Sequence, residues 1–125
     1  MTLTPEVQQI VDAAKKANHS VFSIPIHGSN YVYRSINRAE FRALQNQLFD
    51  QAEQARKAIQ DEKALAVALD KVKDDGESRL VTLATLHPKL TEAELNNSGA
   101  GLVPTLADFI MRASNFGVDL EPTQL

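Results

Sequence analysis

The stretch from Asn37 to Asp75 contains neither proline nor glycine, and this feature most limits how the chain can fold. Apolar residues recur within it at helical spacing, separated by Gln, Glu, Lys and Arg. One helix over residues 38–74 would be about 55 Å long, whereas a compact domain of 125 residues is about 28–30 Å across. The helix must therefore either break near residues 60–63 or project beyond the core.

The residues before this stretch predict a helix and a β-hairpin. Residues 4–6 supply an N-cap threonine, a proline suited to the first helical position and an early acid, and they predict a helix over residues 5–17. Two runs rich in β-branched and aromatic residues flank a turn at residues 27–30 and predict a hairpin over residues 20–34. Pro25 cannot donate a ladder hydrogen bond, so its strand should lie at an edge.

The residues after the stretch predict further helices. Gly76 is the first helix breaker after the stretch begins, so we expect a separate helical C-terminal part over residues 77–117. Residues 77–86 are typical of a buried helix, although their β-branched residues also permit a strand. Pro88 ends this segment, because the residue before a proline is disfavoured in the α region.

Two more helix starts complete the pattern. A capping box at residues 91–94 predicts a short helix, and Pro104 suits the first turn of a last helix. Residues 118–125 are expected to form a tail. The chain is therefore predicted to be a single domain over residues 1–125, of a mostly α fold class with a small β-hairpin (α+β). It would contain an N-terminal helix, a hairpin, a long or broken helix over residues 38–74, and C-terminal helices.

Composition removes several functional classes. There is no Cys, which excludes disulfide scaffolds, thiolate nucleophiles and Cys-based zinc sites. Thirteen basic residues against sixteen acidic ones leave a net charge of −3, which argues against nonspecific nucleic-acid binding. No apolar run approaches the roughly 20 residues that span a bilayer, and residues 1–6 lack the features of a signal peptide. We expect an intracellular protein without a membrane partner.

No set of reactive side chains has the spacing that catalysis or metal binding requires. His19, His27 and His87 form neither an HxxxH nor an HExxH pattern, so no metal site is expected. Ser29 and Ser98 lie in turn-like sequences, and no G-x-S-x-G motif is present. The chain is therefore expected to be no enzyme and to use no cofactor.

The junction between hairpin and long helix carries the side chains best suited to bind a partner. Tyr31 and Tyr33 lie on one side of their strand, where they either pack on a helix or face a partner. Arg34, Arg38 and Arg42 recur every four residues and form either a solvated face or a cationic ridge for an acidic partner. The candidate partner-binding residues are Tyr31, Tyr33, Arg34, Arg38, Phe41 and Arg42.

Three short segments, in a fixed order, carry a resemblance to a known family. Residues 33–41 (YRSINRAEF) are similar to a YRxLxRxEY segment, residues 81–88 (VTLATLHP) to VxxxxLxP, and residues 101–117 (GLVPTLADFIMRASNFG) to GxxxxLAxxIxxxSxFG. Over about residues 20–117, the chain resembles the small tail or baseplate-hub assembly chaperones of contractile-tailed bacteriophages.

The resemblance implies a non-enzymatic protein of the host cell cytoplasm that binds another phage tail or baseplate protein and keeps it assembly-competent. An amphipathic helix laid into a groove would be the natural contact. Two alternatives stay open: a minor structural subunit of the tail or baseplate, retained in the virion, and a small host-directed regulatory or inhibitory binding protein. A homo-oligomer is compatible with each of these.

Overall fold

The computed structural model describes residues 3–115 and 123–125, and within them the chain forms five helices and a three-stranded antiparallel sheet. This arrangement confirms the predicted mostly α, α+β fold class. The elements are α1 (Pro5–Lys16), β1 (Val21–Ile26), β2 (Ser29–Arg34), α2 (Arg38–Ala58), α3 (Glu62–Ala84), β3 (Thr85–His87), α4 (Glu92–Asn96) and α5 (Leu102–Ala113).

The sheet, in the order β1-β2-β3, lies between two groups of helices. Side chains alternate along the central strand, so Val32 faces α1 while Tyr33 faces the core built with α3 and α5. The smaller cluster joins Val32 to buried residues of α1 and to Leu86. The larger cluster contains the fully buried Leu106 and Ile110. The two faces of the sheet thus pack on two separate apolar cores.

The hairpin turn is tighter than the sequence predicted. Only His27 and Gly28 form the turn, with φ of 50° and 82°, as a two-residue turn with both central residues left-handed requires. Ser29 and the residue after it belong to β2, because Ser29 pairs with Ile26. Pro25 lies on the edge strand β1, as expected.

The long stretch is broken, and its two halves form an antiparallel helical pair. The chain leaves helical geometry at residues 59–61, and the Asp61 side chain accepts a hydrogen bond from the Ala64 N–H at 2.9 Å to start α3. The two helices are about 31 and 34 Å long. No residue from Asn37 to Asp75 is buried. The pair therefore extends from the sheet-based core, and packs mainly on itself along much of its length.

The expected break at Gly76 is wrong, because α3 continues through it to Ala84. Gly76 is buried where α3 meets α2, and a Cβ there would lie 2.8 Å from Leu48 Cδ1. A glycine in a helix interior costs about 1 kcal/mol relative to alanine. The close approach of the two helices thus overrides the local preference that the sequence indicated.

The helical assignment of residues 85–86 is also wrong. Residues 85–87 form β3, in which His87 pairs with Val32 of β2. Thr85 is fully buried, and its Oγ1 has no hydrogen-bond partner among the described residues. The strand depends on pairing with a segment more than fifty positions away, which local periodicity does not reveal.

Apart from the start expected after Gly76, the predicted helix starts are confirmed. The Thr4 side chain caps α1, capping boxes begin α2 at Asn37 and α4 at Thr91, and Pro104 lies in the first turn of α5. Residues 116–117 and most of the expected tail lie outside the described residues. Residues 123–125 are exposed and have no regular secondary structure.

We expect Gly76→Ala to act differently in two backgrounds. In the wild type, the gain in helix propensity is opposed by displacement of Leu48, so the free energy of unfolding should change little. In a Leu48→Ala background, the same substitution should stabilise by about 1 kcal/mol. Urea denaturation of the four proteins measures this difference, and equal effects in both backgrounds would contradict the proposed contact.

We expect Thr85→Val to stabilise the protein by about 1 kcal/mol, because it removes a buried hydroxyl without a partner and keeps the β-branched shape. Thr85→Ser is the matched control, since it keeps the hydroxyl and leaves a small cavity, and it should destabilise. Thermal and urea unfolding measure both. A loss of stability in the valine variant would show that the hydroxyl is paired.

Candidate functional site

The site is built outward from the connection between β2 and α2. The Arg34 guanidinium donates two hydrogen bonds to the Glu40 carboxylate, Nη1 to Oε1 at 2.9 Å and Nη2 to Oε2 at 2.7 Å. The two side chains are 12% and 22% exposed. Arg34 also donates to the Ser35 carbonyl at 2.9 Å. Paired, partly shielded bonds of this kind are among the stronger polar contacts in proteins, so Arg34 is a fixed structural residue.

Glu40 also forms the capping box at the start of α2. Its Oε1 accepts a hydrogen bond from the Asn37 N–H at 3.1 Å, while Asn37 Oδ1 accepts from the Glu40 N–H at 2.8 Å. The hydrogen bonds from Arg34 hold the pKa of the Glu40 carboxyl below its ordinary value of 4.5, against the opposing effect of burial. One carboxylate thus closes the helix cap and fixes the direction of α2 relative to the sheet.

A second hydrogen-bonded link brings α5 to the same junction. The Ile36 N–H donates to Ser114 Oγ at 2.8 Å, and that hydroxyl donates to the Ile110 carbonyl at 2.7 Å. The end of α5 is therefore tied to the segment that enters α2. This link keeps α5 beside the start of α2.

The two tyrosines serve the core more than the surface. Tyr33 is 6% exposed; its ring stacks on Phe22 at a centroid distance of 5.7 Å and lies against Phe109 at 6.3 Å. Burial raises the pKa of the Tyr33 hydroxyl. Tyr31 is half-buried against the same cluster. Of the two interpretations in the sequence, packing on a helical layer describes these side chains, and Tyr33 offers almost no surface to a partner.

An open groove of about 490 Å³ lies between α2, α3 and α5, and we call it the three-helix groove. It exists because α2 has no buried residue along its 21 positions, so its apolar side chains touch α3 on one side and remain uncovered on the other. The larger apolar residues lining the groove are Phe41, Leu44, Leu48, Leu80, Pro104 and Met111.

The outer edge of α2 borders this groove, and we call it the α2 rim. Residues 38, 42, 45 and 49 are spaced four, three and four positions apart, which places them on one side of the helix. Gln45 lines the groove. Arg38 and Arg42 are exposed and make no ion pair within the described part of the chain, and Phe49 is 63% exposed. Of the three arginines in the cationic ridge predicted from sequence, Arg38 and Arg42 are exposed, whereas Arg34 is paired with Glu40.

Sequence reasoning identified only part of the groove. It selected Phe41, which is half-buried and lines the groove, but missed Leu48, Leu80 and Met111. These residues have the spacing of ordinary core positions on their helices. Only the packing reveals that Leu48 and Met111 are left partly uncovered, and that the buried Leu80 also lines the groove. The one available signal was the shortage of large apolar residues in the middle of the long stretch.

A smaller groove of about 380 Å³ follows the opposite side of α2, where Glu40, Arg79 and Leu83 contribute to its walls. Farther along the helices, Arg79 Nη1 donates to Gln51 Oε1 at 3.2 Å and connects α3 to α2. The walls of this smaller groove are more polar than those of the three-helix groove. The Glu40 carboxylate in it already accepts hydrogen bonds from Arg34 and from the Asn37 N–H. The three-helix groove is therefore the stronger candidate for binding.

Within residues 3–115 and 123–125, no group of three or more His, Asp or Glu side chains is placed to hold a metal ion. No helix in the same part of the chain is long and apolar enough to cross a membrane. The chain matches no protein-family model, no curated protein and no solved structure.

Glu40→Gln should destabilise the protein by about 1–3 kcal/mol at pH 7, because a hydrogen-bonded charge is lost from a partly buried site. Since folding lowers the pKa of Glu40, its contribution is present above the ordinary value of 4.5 and is lost as pH falls through the folded value. The difference between wild type and variant should therefore shrink below about pH 4.5.

Glu53→Gln is the matched control for this measurement. Glu53 pairs with Arg56 at 2.7 Å on the exposed surface of the same helix, and its loss should cost less than about 0.5 kcal/mol. Urea denaturation across pH 3–7 tests both variants. A constant difference between wild type and Glu40→Gln over that range would contradict the electrostatic role of the junction.

Proposed function

We propose that this chain is a non-enzymatic phage tail or baseplate assembly chaperone, which holds a helical segment of another tail protein in the three-helix groove. The observation that carries the proposal is that α2, one of the two longest helices described, buries none of its 21 residues. Contiguous exposed apolar surface on a soluble domain marks a binding site for another molecule. The groove supplies a partly exposed apolar surface with helices on three sides.

A helix is the occupant whose backbone fits the groove. The walls are helices, whose own backbone groups are paired within each helix, so they offer no ladder to an extended peptide. An extended segment would leave its N–H and C=O groups against an apolar surface without partners, which is costly. A helix satisfies these groups internally and offers apolar anchors at positions i, i+3 or i+4, and i+7. From Phe41 to Leu48 the groove runs about 10 Å, or two helical turns.

Chaperone action follows from mass action on such a contact. A protein that binds only the soluble, assembly-competent form of its partner stabilises that form by about 2.7 kcal/mol when its free concentration is one hundred times Kd. Covering the apolar stripe of the partner also delays its self-association. Contacts of higher affinity in the growing tail would then release the chaperone.

The resemblance supports a phage tail or baseplate partner, and the segments that carry it are packing neighbours. Residues 33–41 supply Tyr33 and Ile36, residues 81–88 supply Val81 and Ala84, and α5 supplies four more buried residues of the larger core. The motif spacing therefore describes a packed unit. The proposed location is the host cell cytoplasm, where such assembly takes place.

We expect co-expression with this chain to increase the soluble yield of one tail or baseplate protein, and purified virions to lack the chain by mass spectrometry. Met111→Glu places a charge in the groove and should abolish the effect on solubility. Val67→Glu is the matched control, because Val67 is 70% exposed on α3 and does not line the groove.

Two results would redirect the assignment. Stoichiometric presence of the chain in virions would instead make it a minor structural subunit of the tail or baseplate. Stable binding to a host enzyme, with no effect on any tail protein, would contradict the chaperone assignment and favour a host-directed inhibitor. Equal loss of solubility with Met111→Glu and Val67→Glu would show that the groove is not the contact.

A further inference from the structure

We propose, on the basis of the function above, that the partner helix carries carboxylates along one edge of its apolar stripe, and that these pair with Arg38 and Arg42 on the α2 rim. The inference concerns the chemistry of the partner, which the apolar groove alone does not define. It is drawn from the distribution of charge around the groove.

The α2 rim carries positive charge that nothing within the described chain balances. Arg38 and Arg42 are exposed, and neither is paired. Four residues separate them, so they lie about 6 Å apart along the helix axis. The acid nearest to them, Glu40, accepts hydrogen bonds from Arg34 and from the helix cap.

The position of Arg38 on its own helix is unfavourable. Arg38 is the first residue of α2, and Arg42 lies in its second turn. The N-terminus of a helix carries partial positive charge, so acids stabilise it and cations there cost free energy. Arg38 therefore does not serve the stability of α2, whereas Arg42 lies beyond the first turn, to which this effect is confined. A bound partner bearing negative charge gives them a counterpart.

The opposite rim of the groove, formed by α3 and α5, has no such excess. Lys73 and Glu77 both line it and carry opposite charges. Asp108 is paired with Arg112 of α5 at 2.8 Å. Unpaired positive charge therefore lies along the α2 rim and not along the opposite rim. The partner helix is expected to bind with its carboxylates along α2, and its other edge need not be charged.

The length of the contact follows from the same helix. From Arg38 to Phe49 the α2 rim covers about 16 Å, or three helical turns. Phe49 is 63% exposed and directly follows Leu48, the last residue of α2 that lines the groove. The matching partner segment thus has two carboxylates three or four residues apart near one end and an apolar side chain near the other.

A second copy of this chain is a poorer occupant. Its α2 would present Arg38 and Arg42 to a rim of the same charge, which is unfavourable. The apolar stripe of its α1 is already buried against the sheet, and the buried residues of α5 belong to the larger core. An acid-edged helix from another protein satisfies both the groove and the rim.

Two synthetic helical peptides of about 18 residues, long enough to form helix in isolation, test the inference with the full-length protein. Both carry leucines at i, i+3 or i+4, and i+7, and they differ only in having Glu or Lys along one edge. Fluorescence anisotropy should show the Glu peptide binding at least tenfold more tightly, equivalent to about 1.4 kcal/mol. Raising the salt concentration should reduce that preference.

Variants of the protein assign the preference to the rim. The double variant Arg38→Glu/Arg42→Glu should reverse the order of the two peptides, whereas Lys57→Glu, an exposed change in the last turn of α2, should leave it unchanged. Gln45→Trp should block both peptides by filling the groove from its edge, and Gln54→Trp is its control. Circular dichroism and urea denaturation verify that each variant is folded.

The outcomes separate this inference from the proposed function. Equal binding of both peptides, still blocked by Gln45→Trp, overturns the acidic partner while keeping the groove. Failure of both peptides to bind, with solubility of the tail protein maintained, overturns the inference and leaves the chaperone function intact. A dimer of the unliganded protein that Gln45→Trp dissociates, measured by sedimentation, shows that a second copy occupies the groove and also overturns it. A clear preference for the Glu peptide without any effect on a tail protein would instead overturn the proposed function.

Discussion

The paired hydrogen bonds between Arg34 and Glu40 are the contact on which the rest of the candidate binding surface depends. Arg34 is the last residue of the central strand, and Glu40 closes the cap of α2, so the contact joins the direction of a helix to the direction of the sheet. If α2 entered at another angle, its apolar side chains would either bury completely or leave α5. The groove exists because α2 is held in an intermediate position.

This constraint explains why residues that look alike in the sequence have different roles. The three arginines recur at equal intervals, yet one of them fixes the junction and two remain on the surface. The two tyrosines lie on the same side of β2, and both pack on the larger core next to the junction. The candidate partner contact therefore shifts from the hairpin toward α2, and it gains walls from α3 and α5.

Much of the fold could be predicted from the sequence, because helix caps, the edge proline and the hairpin are local signals. The capping box at Asn37 and the proline at the start of α1 are examples that the structure confirms. What could not be predicted depends on distant partners: α3 continues through Gly76, where Leu48 leaves no room for a Cβ, and Thr85 leaves the helix because β2 offers pairing. The groove is of the second kind, since partial exposure of Leu48 or Met111 is decided by packing between three helices.

The absence of buried residues between Asn37 and Asp75 also has a dynamic consequence. Local opening costs least where few apolar contacts must be broken, so the free energy of opening should fall along the helical pair from the core toward the loop after Ala58. Backbone amides near that loop would exchange with solvent long before those beside Gly76. We therefore expect rigidity to be graded along the helical pair, with the more rigid end at the junction with the sheet.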